Sequence, residues 1–332
     1  MRSTRSRSLA AGALALATTL ALAACGTTED PAAEATGDAT TDASAGPVSY
    51  TDERGEHELD APATEIVSLE WGLTENLLAL GVEPVGQADV EGYNTWDTVA
   101  PIDAGTPDVG TRGEPSLDAI SALEPDLVVT TTDIPENVIA QIEEIAPVLA
   151  LRGSDGADPI GYMRSTVETL GTVTGREDEA TAALEEYDAK IAEATAALDE
   201  AGLAGADFTM ADGWINNGTV SVRMYTPGSF FGAIGEELGL VNAWTEGGDP
   251  DYGLAQTDVE GLTQLGDVQF LYVASESEAN PFTDGLEGNA VWEQLPFVTA
   301  GDVHRLPDGI WMFGGPLSAA AYADAVVSAL TA

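Results

Sequence analysis

The feature that most restricts the fold is a strand-then-helix module that occurs twice, in the same order, with a helical block between the copies. In the first copy Glu65-Ile-Val-Ser-Leu-Glu-Trp71 is a β-branched run that reads as a strand, and residues 74–80 read as a helix closed by Gly81. A capped helix over 116–123, ended by Pro125, then precedes a buried parallel strand over 126–130. In the second copy a strand over 220–224 leads to a helix ending at Leu238-Gly239-Leu240. Asp258-Val259-Glu260 then opens a helix that stops at Gly266-Asp267, before a strand over 267–273. Residues 159–170 and 177–200 between the copies are helical in pattern, and residues 48–59 form a small hairpin around Gly55. The economical architecture is an α/β fold of two similar lobes joined by a single long helix, with the ligand cleft between the lobes at the carboxyl ends of the strands. The expected boundaries are 47–157 for the first lobe, 158–175 for the joining helix and 176–332 for the second lobe.

The leading segment sets the compartment. Arg2, Arg5 and Arg7 make a basic head, and 9–24 is Ala, Leu, Gly and Thr, the pattern of a secretory signal. It ends at Leu22-Ala23-Ala24-Cys25-Gly26, which resembles the lipobox of bacterial lipoproteins. Cys25 is the only cysteine, so no internal disulfide can form, and it is the expected lipidation site. Residues 27–46 hold no large apolar side chain and read as a flexible tether. The expected layout is signal peptide over 1–24 and lipid-anchored tether over 25–46. The folded part then stands outside the cytoplasmic membrane, touching it through the anchor only.

The net charge of −46 excludes a nucleic-acid partner, because phosphate contacts need basic patches. Three of the eleven basic residues lie in the leader, so each remaining arginine is conspicuous. The chain has two histidines, His57 and His304, far apart, with no cysteine cluster and no Walker-type loop. Direct metal capture, a cofactor and enzymatic catalysis therefore have no visible carrier.

Aromatic residues and arginines are the stronger signal. Trp71, Trp96, Tyr252 and Trp311 stand at strand ends or in irregular stretches and could floor a cleft, whereas Trp214 and Trp244 read as ordinary packing. Arg112 sits in the glycine-flanked loop Val109-Gly-Thr-Arg-Gly-Glu-Pro-Ser116, suited to ligand contact. Arg223, inside a strand, needs an acidic partner or an anionic ligand. Asp118 and Glu260 occupy equivalent helix starts, one per half, and could dock two arginines of a symmetric partner.

Residues 62–330 resemble the periplasmic binding proteins for iron–siderophores and cobalamin. The motifs are Ile66-Val-Ser-Leu-Glu-Trp71, Leu77-Leu-Ala-Leu-Gly81, Asp108-Val-Gly-Thr-Arg-Gly-Glu-Pro-Ser-Leu117, Leu123-Glu-Pro-Asp-Leu127, Tyr225-Thr-Pro-Gly-Ser-Phe230 and Gly314-Gly-Pro-Leu-Ser318. Within the family the ferric-hydroxamate binders are most similar, through Leu69-Glu-Trp71, the Tyr93/Trp96 stretch and Thr111-Arg-Gly-Glu-Pro115. The resemblance implies a monomeric binding protein of an ABC importer that delivers a ferric siderophore to a permease dimer with its ATPase. It places Arg112, Trp96, Tyr252 and Trp311 at the ligand, with Tyr93 and Trp71 beside them, and Asp118 and Glu260 at the permease. Arg223 replaces an apolar pocket residue of the relatives, which suits a more negative ligand such as a citrate-based hydroxamate complex. Cobalamin or haem on the same fold, or a surface lipoprotein without transport, are the other readings.

Overall fold

The computed structural model describes residues 46–332; the expected signal peptide, Cys25 and the expected tether up to residue 45 lie outside that range. The chain opens with the antiparallel hairpin β1 (Val48–Asp52) and β2 (Gly55–Leu59). It continues through β3 (Ile66–Ser68), α1 (Trp71–Ala79), β4 (Gly86–Gln87), α2 (Val90–Trp96), α3 (Leu117–Ala122), β5 (Leu127–Thr131), α4 (Glu136–Ile142) and β6 (Val148–Leu151). Strands β4-β3-β5-β6 form a parallel sheet in that order. Two helices follow, α5 (Pro159–Thr174) and α6 (Glu177–Glu200).

The second half contains β7 (Asp207–Asn216), β8 (Thr219–Tyr225), α7 (Phe230–Glu237), β9 (Val241–Asn242) and β10 (Leu254–Thr257). It ends with β11 (Gln269–Tyr272), α8 (Pro296–Ala300), β12 (Val303–Arg305) and α9 (Pro316–Thr331). Its six-stranded sheet is mixed. Strands β9, β7, β11 and β12 run parallel, in an order that mirrors the first sheet, while β8 and β10 add an antiparallel edge. The counterpart of β3 is therefore β7, and the strand over 220–224 that the sequence pattern paired with β3 is the return arm of a hairpin. The pattern misled because β8 directly precedes its helix, as β3 does. Two further differences concern helix starts. Trp71 lies inside the first turn of α1 rather than at the end of a strand, and the turn after Glu260 is a short 3-10 helix, Gly261–Gln264.

Alternation along the strands builds two cores per sheet. In the first sheet Val67, Val128 and Val148 face α3 and α4, while Ile66, Leu127, Val129 and Leu149 face the helices of the chain's middle. In the second sheet Val222, Met224, Phe270 and Tyr272 pack outward against Phe282, Trp292 and Phe297. Phe208, Met210 and Leu271 face the opposite way and join the same apolar body as Ile66 and Leu149, through α1, α5, α6, α7 and α9. One continuous core thus touches both sheets.

The hairpin at the start is pinned to the first sheet. The Tyr50 hydroxyl donates to the Val148 carbonyl at 3.2 Å, and the Asp52 carboxylate accepts from Ala150 N–H at 3.0 Å. His57 bonds Asp52 at 2.8 Å and stacks on Tyr50, which accounts for one of the two histidines as a structural element.

Phe231 is fully buried in the shared core and stacks face to face on Tyr322 at 4.0 Å between ring centroids. Phe231→Ala is expected to cost about 4 kcal/mol in urea unfolding. Val241→Ala, at a side chain left 48% exposed, should shift stability by no more than ~0.5 kcal/mol.

Candidate binding cavity and its arginines

A cavity of about 430 Å³ opens between the carboxyl ends of the first sheet, α5 and the loops of the second half. Glu70, Arg112, Asp133 and Arg152 line it from the first half, and Tyr162 and Met163 from α5. Arg223, Phe230, Tyr252 and Phe313 line it from the second half.

Arg112 is presented by a tight loop. Gly110 has φ +101°, and a Cβ there would stand 2.8 Å from the Glu114 carbonyl, so the turn requires glycine. Thr111 and Glu114 exchange backbone hydrogen bonds across the tip, which aims the intervening side chain inward. The guanidinium lies 4.0 Å above the Trp71 ring and 5.4 Å from that of Trp311, and Nη1 donates to Glu70 Oε1 at 3.0 Å. That is its one hydrogen bond among the described residues, so most of its five N–H donors remain available. Burial pushes the Glu70 carboxyl above its usual range, and Arg112 pulls it back toward the charged form.

Behind Arg112 stands an aromatic wall. Trp71, Tyr93 and Trp311 are buried and packed together, with Trp71 edge-on to both partners. The Tyr93 hydroxyl is committed to the Ala100 carbonyl at 2.6 Å and the Trp71 indole N–H to Ala88 at 3.2 Å. None of the three lines the cavity. Trp96, the last residue of α2, lines a separate small hollow with Pro281, Ile310 and Met312. Of the residues that the sequence placed at the ligand, the cavity therefore gathers Arg112, Arg223 and Tyr252. It leaves Trp71, Tyr93 and Trp311 as backing and sets Trp96 apart.

Arg223 and Asp212 sit directly opposite on β8 and β7, and the guanidinium grips the carboxylate through Nε at 2.9 Å and through Nη2. The pair is largely buried, and the Arg223 guanidinium lies 5.6 Å from the Phe313 ring. Tyr252 reaches across from the second half and donates its hydroxyl to Asp133, in the loop after β5. Burial and this acceptor push the phenol well above its usual range, so it stays a donor. A Cβ on Gly153 would stand 1.8 Å from the Tyr252 hydroxyl, so only glycine leaves that path open.

Arg152 and Phe313 are among the cavity residues that the sequence pattern did not single out. Arg152 follows the last residue of β6, pairs with Asp155 at 2.6 Å and Glu53 at 3.3 Å, and lies over the Tyr162 ring. Its signal was available: an apolar run over 148–151 followed by Arg-Gly marks a strand end. Phe313, edge-on to Tyr252 at 5.4 Å and to Trp311 at 5.3 Å, lies in the Trp-Met-Phe-Gly-Gly stretch where Trp311 drew attention instead. Among the described residues no group of three His, Cys, Asp or Glu could hold a metal ion. His304 bonds Gln269 at 2.9 Å within the second sheet. Asp118 and Glu260 are exposed and away from the cavity wall.

Arg112→Ala removes the one cation bonded to the largely buried Glu70. The variant should lose about 1–3 kcal/mol at pH 8. Glu70, raised further, then takes its proton before the unfolded chain does, so urea unfolding at pH 5 should show a smaller deficit than at pH 8.

The family model for periplasmic binding proteins matches residues 66–309. The iron(3+)-hydroxamate-binding protein of Escherichia coli is 28% identical over 270 residues, covering 76% of this chain and 82% of that one. The Fe(3+)-citrate-binding protein of Bacillus subtilis is 27% identical over 273 residues, covering 78% of each chain. Among solved structures, the Fe3+–Desferal-bound siderophore-binding protein of Vibrio cholerae aligns with TM-score 0.71 and 29% identity, over 81% of this chain and 98% of that one. Staphylococcus aureus SirA complexed with staphyloferrin B aligns with TM-score 0.66 over 85% of this chain and 98% of that one, and at 24% identity this likeness speaks for the fold alone. With the family model spanning well over half of its length, the chain belongs to the periplasmic binding protein family.

Proposed function

We propose that this protein is the extracytoplasmic binding component of an ABC importer and that it captures a ferric siderophore with hydroxamate or citrate-hydroxamate oxygen donors. The observation that carries the reading is electrostatic. Three of the eight basic residues in the described body, Arg112, Arg152 and Arg223, line one cavity of about 430 Å³. In a chain with 57 acidic residues such a gathering supports an anionic ligand. A chelated Fe3+ has its coordination filled by the siderophore, so the protein needs hydrogen-bond donors to the chelating oxygens rather than metal ligands of its own. The guanidinium fork supplies those donors, and Tyr252 and Phe313 supply apolar contact. The ligands of the two named relatives, iron(3+) hydroxamate and Fe(3+) citrate, support the same class of cargo.

The delivery step rests on features outside the cavity. On this reading α5 is the element that joins the lobes, and the core shared by both sheets limits closure to small movements. Asp118 in the first turn of α3 and Glu260 at the turn before β11 are exposed acids, one per half, that would each take an arginine of the permease dimer. Cys25 would carry the lipid that keeps the protein at the membrane.

A thermal-shift and fluorescence titration against ferric siderophores, cobalamin and haem tests the proposal. Ferric hydroxamates should raise the unfolding midpoint, by about 2.7 kcal/mol of stabilisation at a hundredfold excess over Kd. Stabilisation by cobalamin or haem alone, or by nothing, would sink the reading. Arg223→Leu made together with Asp212→Asn, which leaves no buried carboxylate unpaired, should weaken carboxylate-bearing siderophores at least about tenfold, ~1.4 kcal/mol. Asp118→Arg with Glu260→Arg should abolish uptake in cells without changing affinity.

A further inference from the structure

Two acids that take no part in the cavity wall are sealed from solvent behind it. Glu75, on α1, and Asp97, just after α2, both have no exposed surface. Glu75 Oε1 accepts backbone N–H from Gly315 at 2.9 Å and from Ser318 at 2.8 Å, where α9 begins. Its Oε2 has no such partner and faces Gly314, where a Cβ would stand 2.1 Å away. Asp97 Oδ1 accepts from Ala100 N–H at 3.4 Å, and Oδ2 is likewise unpartnered. The two carboxyls lie within hydrogen-bond reach of each other. One such bond, which requires one proton, gives both orphan oxygens a partner.

The surroundings supply no cation. Tyr93 faces the pair from α2, its hydroxyl donating to the Ala100 carbonyl and also within reach of Asp97, and the Ser318 hydroxyl faces Glu75 from α9. The buried indole N–H of Trp311, in the segment just before Gly315, is unpaired. No lysine, arginine or histidine is ion-paired to either acid among the described residues. Burial, then the charge of Glu75, push Asp97 up to about 9. Burial raises Glu75 as well, while the N–H groups of Ser318 and Gly315 favour its charged form.

The segment so anchored is the one that shapes the cavity. Trp311 backs the Arg112 guanidinium, while Phe313 and Gly314 line the wall. We propose that Glu75 and Asp97 share one proton and act as positioning residues, holding residues 311–315 against Arg112 so that loss of the proton loosens the ligand site. The second half of this claim rests on the reading of the cavity as a ferric-siderophore site; the first half does not.

Urea unfolding of the ligand-free chain between pH 6 and 10 tests the shared proton. A proton held more tightly by the folded chain makes stability fall as pH rises, from the ordinary carboxylate range until about 9. The unfolding constant of the wild type, relative to Asp97→Asn, should grow about tenfold per pH unit up to that point and then level off. Asp97→Asn keeps a donor for Glu75 and should match the wild type near pH 7, whereas Asp97→Ala should not. Titration with ferric desferrioxamine tests positioning: wild-type affinity should drop at least about tenfold between pH 7 and 10, with Asp97→Asn changing less than about threefold. An unfolding slope identical in the wild type and Asp97→Asn overturns the shared proton, and identical pH dependence of binding overturns the positioning role. Absence of any binding at pH 7 overturns the siderophore reading and the positioning role with it, while the unfolding slope still decides the acid pair.

Discussion

The apolar core that runs from one sheet to the other is the constraint on which the cavity depends. Ile66, Leu127 and Leu149 of the first sheet and Phe208, Met210 and Leu271 of the second bury into the same body of helices. Moving the sheets apart would expose that surface, at roughly 25 cal/mol for each Å² of apolar area returned to water. The walls of the cavity are consequently held at a set separation before any ligand arrives. Tyr252 bonded to Asp133 and the Gly156 N–H bonded to the Pro250 carbonyl add polar ties along the same seam. A site framed in this way selects by fit and charge more than by enclosure.

Charge scarcity shapes the electrostatics. Each of the eight basic side chains in the described body has at least one acidic partner, including the three at the cavity. Pairing of this kind at the surface contributes little, about 0–1 kcal/mol. Inside the cavity it does something different. Glu70 and Asp212 hold Arg112 and Arg223 in fixed orientation while leaving N–H donors directed elsewhere. Burial raises both acids, and the guanidiniums beside them pull them back toward the charged form. An anionic ligand would compete with these acids for donors, so affinity is a difference between two sets of charged hydrogen bonds.

The aromatic residues divide by depth. Tyr252 and Phe313 reach the cavity, while Trp71, Tyr93 and Trp311 form an edge-on cluster that gives Arg112 a π face to rest on. A flexible side chain is costly to order. Seated on two indoles and bonded to Glu70, Arg112 is ordered by the fold rather than by the ligand, which is the general route to preorganised recognition. The buried acids at Glu75 and Asp97 belong to the same support, since Glu75 ties Gly315 and Ser318 to α1.

Much of this was legible in the chain alone. Hydrophobic period and caps located α3, α5, α6 and the strands β5, β8 and β11 to within a few residues, because local propensity and burial agree there. The loop around Arg112 was legible for the same reason, its glycine-flanked sequence marking a turn just before a helix, where Gly110 takes a positive φ. Tertiary structure alone decided which strands are equivalent, since β7 and β8 look alike until pairing shows that one runs parallel to β11 and the other closes a hairpin. It also decided depth. Trp71, Trp96 and Trp311 carry the same side chain, yet only their neighbours in space determine whether an indole backs an arginine or faces another hollow. The sequence by itself determined the supply of cations and rings and the alternation that makes an α/β body. Which of those cations converge is set by contacts between residues as far apart as Glu75 and Ser318, and no local pattern encodes a separation of that kind.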